Sequence, residues 1–228
     1  MVQLDGARFL VTGASGGLGA PIARRLAAAG ADLTLVARDP DRLDRLDVPG
    51  QRVAVDLRTP EACAEAVATA ATAGPLTGVV NAVGVVAFGT VDELGADVME
   101  ELFLTNTFVP IMLARAALPH LADGGAVIVN LAGVVAEKSF PGMAAYAASK
   151  AAVRAFDEGF AAEVRRRKIR VLNARPGHTE TGLADRPIAG TAPRFPTGHA
   201  PDDVAARIVR AIADDERDLP SSAFEAGE

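Results

Sequence analysis

The stretch RFLVTGASGGLG, residues 8–19, decides the fold. Arg8–Thr12 reads as a short buried strand. It runs straight into a glycine-rich turn. APIARRLAAAG, residues 20–30, then repeats apolar residues at helical period and stops at Gly30. Strand, glycine turn and helix in that order make a phosphate site. Glycines let the backbone approach a pyrophosphate, and the helix N-terminus offers free N–H groups and the positive end of its dipole. Gly13, Gly17 and Gly19 take those roles, with Ser15 and Leu18 in the same cofactor-binding turn. There is no lysine for a P-loop. Pro21 falls in the first helical turn, where an N–H has no intrahelical partner anyway.

Outward from this unit the pattern repeats. DLTLVA (32–37), RVAVD (52–56), TGVVNAVG (77–84), AVIVNL (126–131) and IRVLNA (169–174) read as further strands. Between them lie helical patterns at 60–73, 97–118 and 143–167, with another at 201–213. Thr59-Pro60 is an N-cap followed by proline at the first helical position. Alternation of this kind requires crossovers and a parallel sheet. The strands are near-continuous apolar runs, as expected when helices cover both faces. The expected architecture is a single doubly wound Rossmann-type domain over 1–228, with a parallel sheet of six or seven strands. No linker or repeat divides the chain.

Bulk properties exclude several classes. The 228 residues carry a net charge of −6, which favours neither a nucleic acid nor an anionic membrane surface. The basic run RRRK (165–168) closes a predicted helix, where cations complement the dipole. The single cysteine, Cys63, allows no internal disulfide, and the three histidines are too scattered for a metal site. The N-terminal residues lack the apolar core and cleavage site of a signal peptide, and no apolar run is expected to be long enough to cross a bilayer. A cytoplasmic protein is expected.

At the end of the second strand, the position that could grip a ribose diol carries Ala37, followed by Arg38. An acidic residue there would favour NAD, whereas an arginine pairs with a 2′-phosphate. NADP(H) is therefore expected in preference to NAD(H). Further along, Tyr146 and Lys150 stand at i and i+4 of the predicted helix 143–167. Reducing a carbonyl by hydride requires a proton for its oxygen. A free tyrosine, with a pKa of about 10, exchanges that proton poorly at neutral pH, and a nearby ammonium lowers the value. Tyr146 is the only tyrosine in the chain, against nine phenylalanines.

With these motifs on the page, the chain resembles the short-chain dehydrogenase/reductase family over nearly its whole length. TGASGGLG matches the family's TGxxxGxG turn, NAVG (81–84) its NNAG segment, and YAASK its YxxxK pair. TN (105–106) lies where the family keeps a catalytic asparagine, and PGHTET (176–181) matches its PGxxxT cofactor clamp. The resemblance implies Tyr146 as general acid/base and Lys150 as its partner and a ribose ligand. It implies that Asn106 orients a proton-relay water. Asn81 and Gly84 would support the cofactor wall, and Asp56 with Leu57 would contact the adenine. Pro176, Gly177, Thr179 and Thr181 would hold the nicotinamide end and the diphosphate.

One departure stands out. The family's catalytic serine follows the fifth strand, and NLAG (130–133) aligns there without a gap to Tyr146. The serine position is Gly133, beside Ala132. Loss of one such donor costs about 10²–10³ in rate. Ser139, His178, a water or a hydroxyl of the substrate could replace it.

Two functions are therefore open. The favoured one is an NADP-dependent oxidoreductase acting on a ketone, aldehyde or secondary alcohol. The alternative is a dinucleotide-binding protein with weak or no turnover, serving as a redox sensor or interaction module. Gly133, Val134, Val135, Phe140, Met143 and His178, with a loop at 182–200, are the expected substrate wall. The mix suits a small hydrophobic carbonyl or alcohol, though Arg186 or Arg194 could meet an acid group. By resemblance a homodimer or homotetramer is expected, pairing through the helices at 97–118 and 143–167.

Overall fold

The computed structural model describes residues 2–225. The expected domain span of 1–228 therefore extends, at Met1 and 226–228, outside the described residues. Seven parallel strands form one sheet: β1 Arg8–Thr12, β2 Asp32–Ala37, β3 Gln51–Ala54, β4 Gly78–Asn81, β5 Val127–Leu131, β6 Arg170–Ala174 and β7 Asp218–Leu219. Their order is β3-β2-β1-β4-β5-β6-β7. The chain winds outward from β1 to β3, returns beside β1 as β4, and winds the other way. The crevice beyond the carboxyl ends of β1 and β4 is where such a sheet takes a ligand.

Side chains of successive strand residues point to opposite faces, and both faces here are covered. Phe9 and Val11 of β1 pack with Ile22 and Leu26 of helix α1 (Gly19–Ala28) and with Ile208 and Ile212 of α7 (Pro201–Ala213). Leu10, between them in sequence, faces the other layer. It belongs there to a second apolar cluster with Val67 of α3 (Pro60–Ala70), Leu113 of α5 (Val109–Ala117) and Phe160 of α6 (Ala144–Val164).

The helices refine the sequence reading in four places. First, a short helix α2 (Pro40–Asp44) follows β2, with the Asp39 carboxylate accepting from Arg42 N. Second, Thr59 caps α3 as expected, accepting from Ala62 N. Third, the expected helix 97–118 is not uniform. It comprises α4 (Ala96–Phe103), a π-helical turn Leu104–Phe108, α5 and a 3₁₀ turn Leu118–His120. Last, α6 gives way to a 3₁₀ turn over Arg165–Arg167, and Arg167 serves the 118–123 connection by donating to Leu118 O and pairing with Asp123.

The helical stretch Ala96–His120 also corrects the expectation about bilayers. It has 25 residues with a mean hydropathy of 1.3 over its most apolar window. By length and composition it is long enough to cross a membrane. Half of that window is buried inside the protein, where α5 packs against α3.

Candidate active site

A cleft of about 790 Å³ opens at the carboxyl ends of the central strands. Its floor is the glycine turn between β1 and α1. A Cβ on Gly17 would lie 2.4 Å from the Thr181 Cβ, and one on Gly19 would lie 2.0 Å from Gly13 O. Only hydrogen fits at either position, so the backbone is bare where α1 begins. Such a cradle admits a diphosphate against the helix N-terminus. The residues present thus fit a dinucleotide.

One end of the cleft is lined by Ala37, Arg38, Arg42, Asp56, Leu57 and Arg58. Ala37 is buried and Arg38 exposed. Arg42, carried on α2, donates to Ser15 O at 2.8 Å and so links its cation to the glycine turn. Asp56 is gripped by Arg58 through Nε and Nη2 at 2.7–3.0 Å, and Arg58 also meets Glu101 at 2.9 Å. The hydrogen bonds from Arg58 hold the Asp56 carboxyl below its ordinary pKa.

At the other end, α6 brings Tyr146 and Lys150 into the cleft one turn apart. Both are largely buried, at 9% and 6% exposure. Lys150 Nζ donates to Leu131 O at the end of β5, at 2.8 Å. Burial pushes the Tyr146 phenol up to about 12 and the Lys150 ammonium down to about 8. The expected lowering of the phenol by the ammonium is thus not seen in the free protein, where burial raises it instead. A Cβ on Gly84 would sit 3.2 Å from Lys150 Nζ and 3.3 Å from Asn106 Oδ1, so these polar atoms flank a narrow space.

Asn106 lies in the π turn, and its side chain does not line the cleft. Its Oδ1 accepts from Val85 N, while Nδ2 donates to Val85 O and to Ser149 Oγ, at 2.9–3.0 Å. Both amide protons are engaged in holding the 84–85 backbone against α6. Orienting a water would fall to the remaining Oδ1 lone pair or to main-chain carbonyls that the π turn releases from the α-helical ladder. Asn81 and Gly19 likewise stand behind the wall; the other expected cofactor residues line the cleft.

Gly133 lines the cleft near Tyr146 with φ 80° and ψ 164°. A Cβ there would have room, its nearest neighbour being Pro176 O at 3.8 Å. The backbone is the obstacle, because this conformation is essentially restricted to glycine. Val134, Val135, Phe140, Met143 and His178 line the same end. Ser139 is exposed and does not line the cleft, which removes it as a replacement hydroxyl. Leu183, Ala184, Arg186, Arg194 and Phe195 of the 182–200 loop complete the wall.

Behind the cleft runs a polar rung. Thr12, Asn81, Asn130 and Asn173 are register partners on β1, β4, β5 and β6. Thr12 Oγ1 donates to Asn81 Oδ1 and Asn81 Nδ2 to Asn130 Oδ1. Asn130 and Asn173 then donate to the two oxygens of Asp157 on α6, at 2.7 and 2.5 Å. Burial pushes the Asp157 carboxyl up to about 7, against these hydrogen bonds.

Sequence reasoning missed Arg42, Arg58 and Asp157. Asp39-Pro40 carries the same cap-and-proline signal as Thr59-Pro60, which would have placed Arg42 on a helix beside the turn. Asp157 had no signal, since a carboxylate on a mostly polar helix face reads as solvated.

The profile of the short chain dehydrogenase family matches residues 7–189. Among curated proteins, the chain is similar to dehydrogenase/reductase SDR family member 7B of Danio rerio. The two are 32% identical over 232 residues, covering 92% of this chain and 75% of that protein. Gluconate 5-dehydrogenase of Gluconobacter oxydans is 29% identical over 198 residues, covering 83% and 77%. A crystal structure of a short-chain dehydrogenase from Streptomyces avermitilis superposes with a TM-score of 0.84 at 29% identity, covering 96% of this chain and 90% of that one. A short chain dehydrogenase from Burkholderia cenocepacia in complex with NADP does so with a TM-score of 0.85 at 26% identity and the same coverage.

Proposed function

The chain belongs to the short-chain dehydrogenase family, and from that premise we propose an NADP(H)-dependent oxidoreductase acting on a ketone, an aldehyde or a secondary alcohol. The observation that carries this reading is the convergence of Tyr146 and Lys150 on the cleft that holds the bare glycine turn. Bound nicotinamide would supply or accept a hydride. In reduction the Tyr146 phenol, protonated at neutral pH as any tyrosine is, gives its proton to the carbonyl oxygen. Lys150, tethered to Leu131 O, stabilises the phenolate left behind. The apolar wall of Val135, Met143, Leu183 and Phe195 excludes water from the reacting end, which strengthens both effects.

Arg38 and Arg42 flank the end of β2 where a 2′-phosphate would lie, and Ala37 offers no carboxylate to a ribose diol. The NADP bound in the Burkholderia relative supports the same choice. Asp56, fastened by Arg58, would meet the adenine. Pairing of copies through α5 and α6 fits the exposed Phe108 at the start of that face, at 54% exposure.

Gly133 favours a second reading, a dinucleotide-binding protein with little turnover. Calorimetry with NADPH and NADH, followed by a screen against cyclohexanone, benzaldehyde, 2,3-butanedione and ethyl acetoacetate, separates the two. We expect tighter NADPH binding, reversed in the double variant Ala37→Asp, Arg38→Ala, and turnover that Tyr146→Phe abolishes. Tighter NADH binding overturns the cofactor assignment. NADPH binding without turnover of any probe supports the second reading.

A further inference from the structure

We propose that His178 supplies the second hydrogen bond to the reacting carbonyl oxygen, in place of a hydroxyl at position 133. This deepens the oxidoreductase reading and rests on it. The argument begins at Gly133. Glycine there has no hydroxyl and its backbone would strain a serine, so a donor must come from elsewhere in the wall. The chain segment nearest the empty volume is known: a Cβ on Gly133 would have Pro176 O as its only neighbour within 4 Å. Val134 N also donates to Pro176 O, at 2.9 Å. His178 is the first donor-bearing side chain after that point.

The other side-chain donors of this end have other partners. Thr105 Oγ1 donates to Glu101 at 2.9 Å, and Thr179 Oγ1 donates to Gly177 O at 3.0 Å. Lys150 gives one of its three N–H groups to Leu131 O and serves the Tyr146 phenolate. Thr181 packs over Gly17, at the diphosphate cradle. Arg186 donates to Gly182 O at 2.9 Å, and Arg194 is exposed on the outer loop. Neither ring nitrogen of His178 makes a hydrogen bond among the described residues.

The ring is nevertheless held in place. It stacks on Phe195 with centroids 4.5 Å apart and planes 19° apart. Phe195 itself packs on the apolar cluster that contains Tyr146. A Cβ on Gly198 would lie 2.7 Å from the ring's Cδ2, so glycine there lets the imidazole lie flat. Glu180 Oε1, fixed by Gly198 N at 2.7 Å, stands 3.6 Å from Nε2. At that distance the carboxylate limits rotation of the ring without taking its N–H. In the proposed step the imidazole N–H only donates a hydrogen bond, and the proton that moves is that of Tyr146.

The test uses His178→Phe, which preserves a stacking ring and removes the N–H, alongside His178→Gln, which retains an N–H. NADPH affinity and turnover of the four carbonyl probes are measured for each. A donor acting on developing charge shows itself in kcat. We expect His178→Phe to lose about 10²-fold in kcat, with NADPH affinity within about twofold, and His178→Gln to keep most of the rate. Should His178→Phe fail to bind NADPH, the pair His178→Leu and His178→Gln replaces it, since these differ chiefly in the amide. Equal kcat for that pair, or wild-type kcat in His178→Phe while Tyr146→Phe is inactive, overturns the role of His178 and leaves the oxidoreductase reading standing. Absence of turnover in the wild-type protein defeats that reading first, and this one with it.

Discussion

Gly133 illustrates how far a single residue can be understood from sequence. By resemblance, its spacing to Tyr146 would put it where the family keeps a serine. That reading alone predicts a faster enzyme when serine is restored. The structure reverses the prediction, because the obstacle lies in φ and ψ rather than in space. We expect Gly133→Ser to lower stability by about 1–3 kcal/mol, hence a Tm lower by at least about 2 °C, with no gain in kcat/KM on any probe. Calorimetric melting and initial rates check both parts. A positive φ leaves no mark on composition or periodicity, which is why this feature was invisible before the backbone was seen.

At the scale of the element, α6 acts as one instrument. It carries Tyr146 and Lys150 one turn apart, and Asp157 two turns further on, all facing the sheet. The desolvation that makes the phenol a reluctant acid also brings the lysine within reach of physiological pH. As pH rises through about 8, Lys150 loses its charge and can no longer stabilise the phenolate. We expect kcat/KM for carbonyl reduction to hold below that pH and fall above it. With one tyrosine and no tryptophan, phenolate absorbance reports Tyr146 alone. Its midpoint in the free protein should lie above 10 and drop when NADP⁺ binds, because a cation joins the site. Lys150→Met should raise it in the complex. A phenol that titrates normally in the free protein would contradict the burial described here. The elements themselves were mostly legible from period and caps. The π turn was not, since LTNTF lies inside an apolar helical period that nothing local interrupts. Nor was β7, whose two residues take strand geometry only by pairing with β6.

At the scale of the molecule, the parallel sheet follows from the alternation of strands and helices, but neither its strand order nor the polar rung across it does. Each asparagine ends an apolar run and reads alone as a strand terminus. Only the register of β1, β4, β5 and β6 turns them into a chain ending at Asp157. The linkage to stability has a definite sign. The folded pKa, about 7, is above the unfolded value of about 3.9, so the folded state holds a proton the unfolded state has lost. The stabilisation is complete below about pH 4 and disappears as pH rises through about 7. Arg175 opposes this by favouring the carboxylate, and Glu158 adds to it. We expect Asp157→Asn to flatten the pH dependence across that window relative to wild type. The difference between the two proteins should change by at least about 1 kcal/mol, or about 2–4 °C in Tm. Parallel pH profiles for the two proteins would refute the assignment.

The conformation at residue 133 also sets the order in which this part of the wall can be changed. A side chain placed there alone meets the full backbone strain. Seating one would need the 131–134 segment and its tie to Pro176 to be reshaped first. A library that randomises position 133 alone should therefore return glycine, while one that varies 132–134 and 176 together opens the position to side chains.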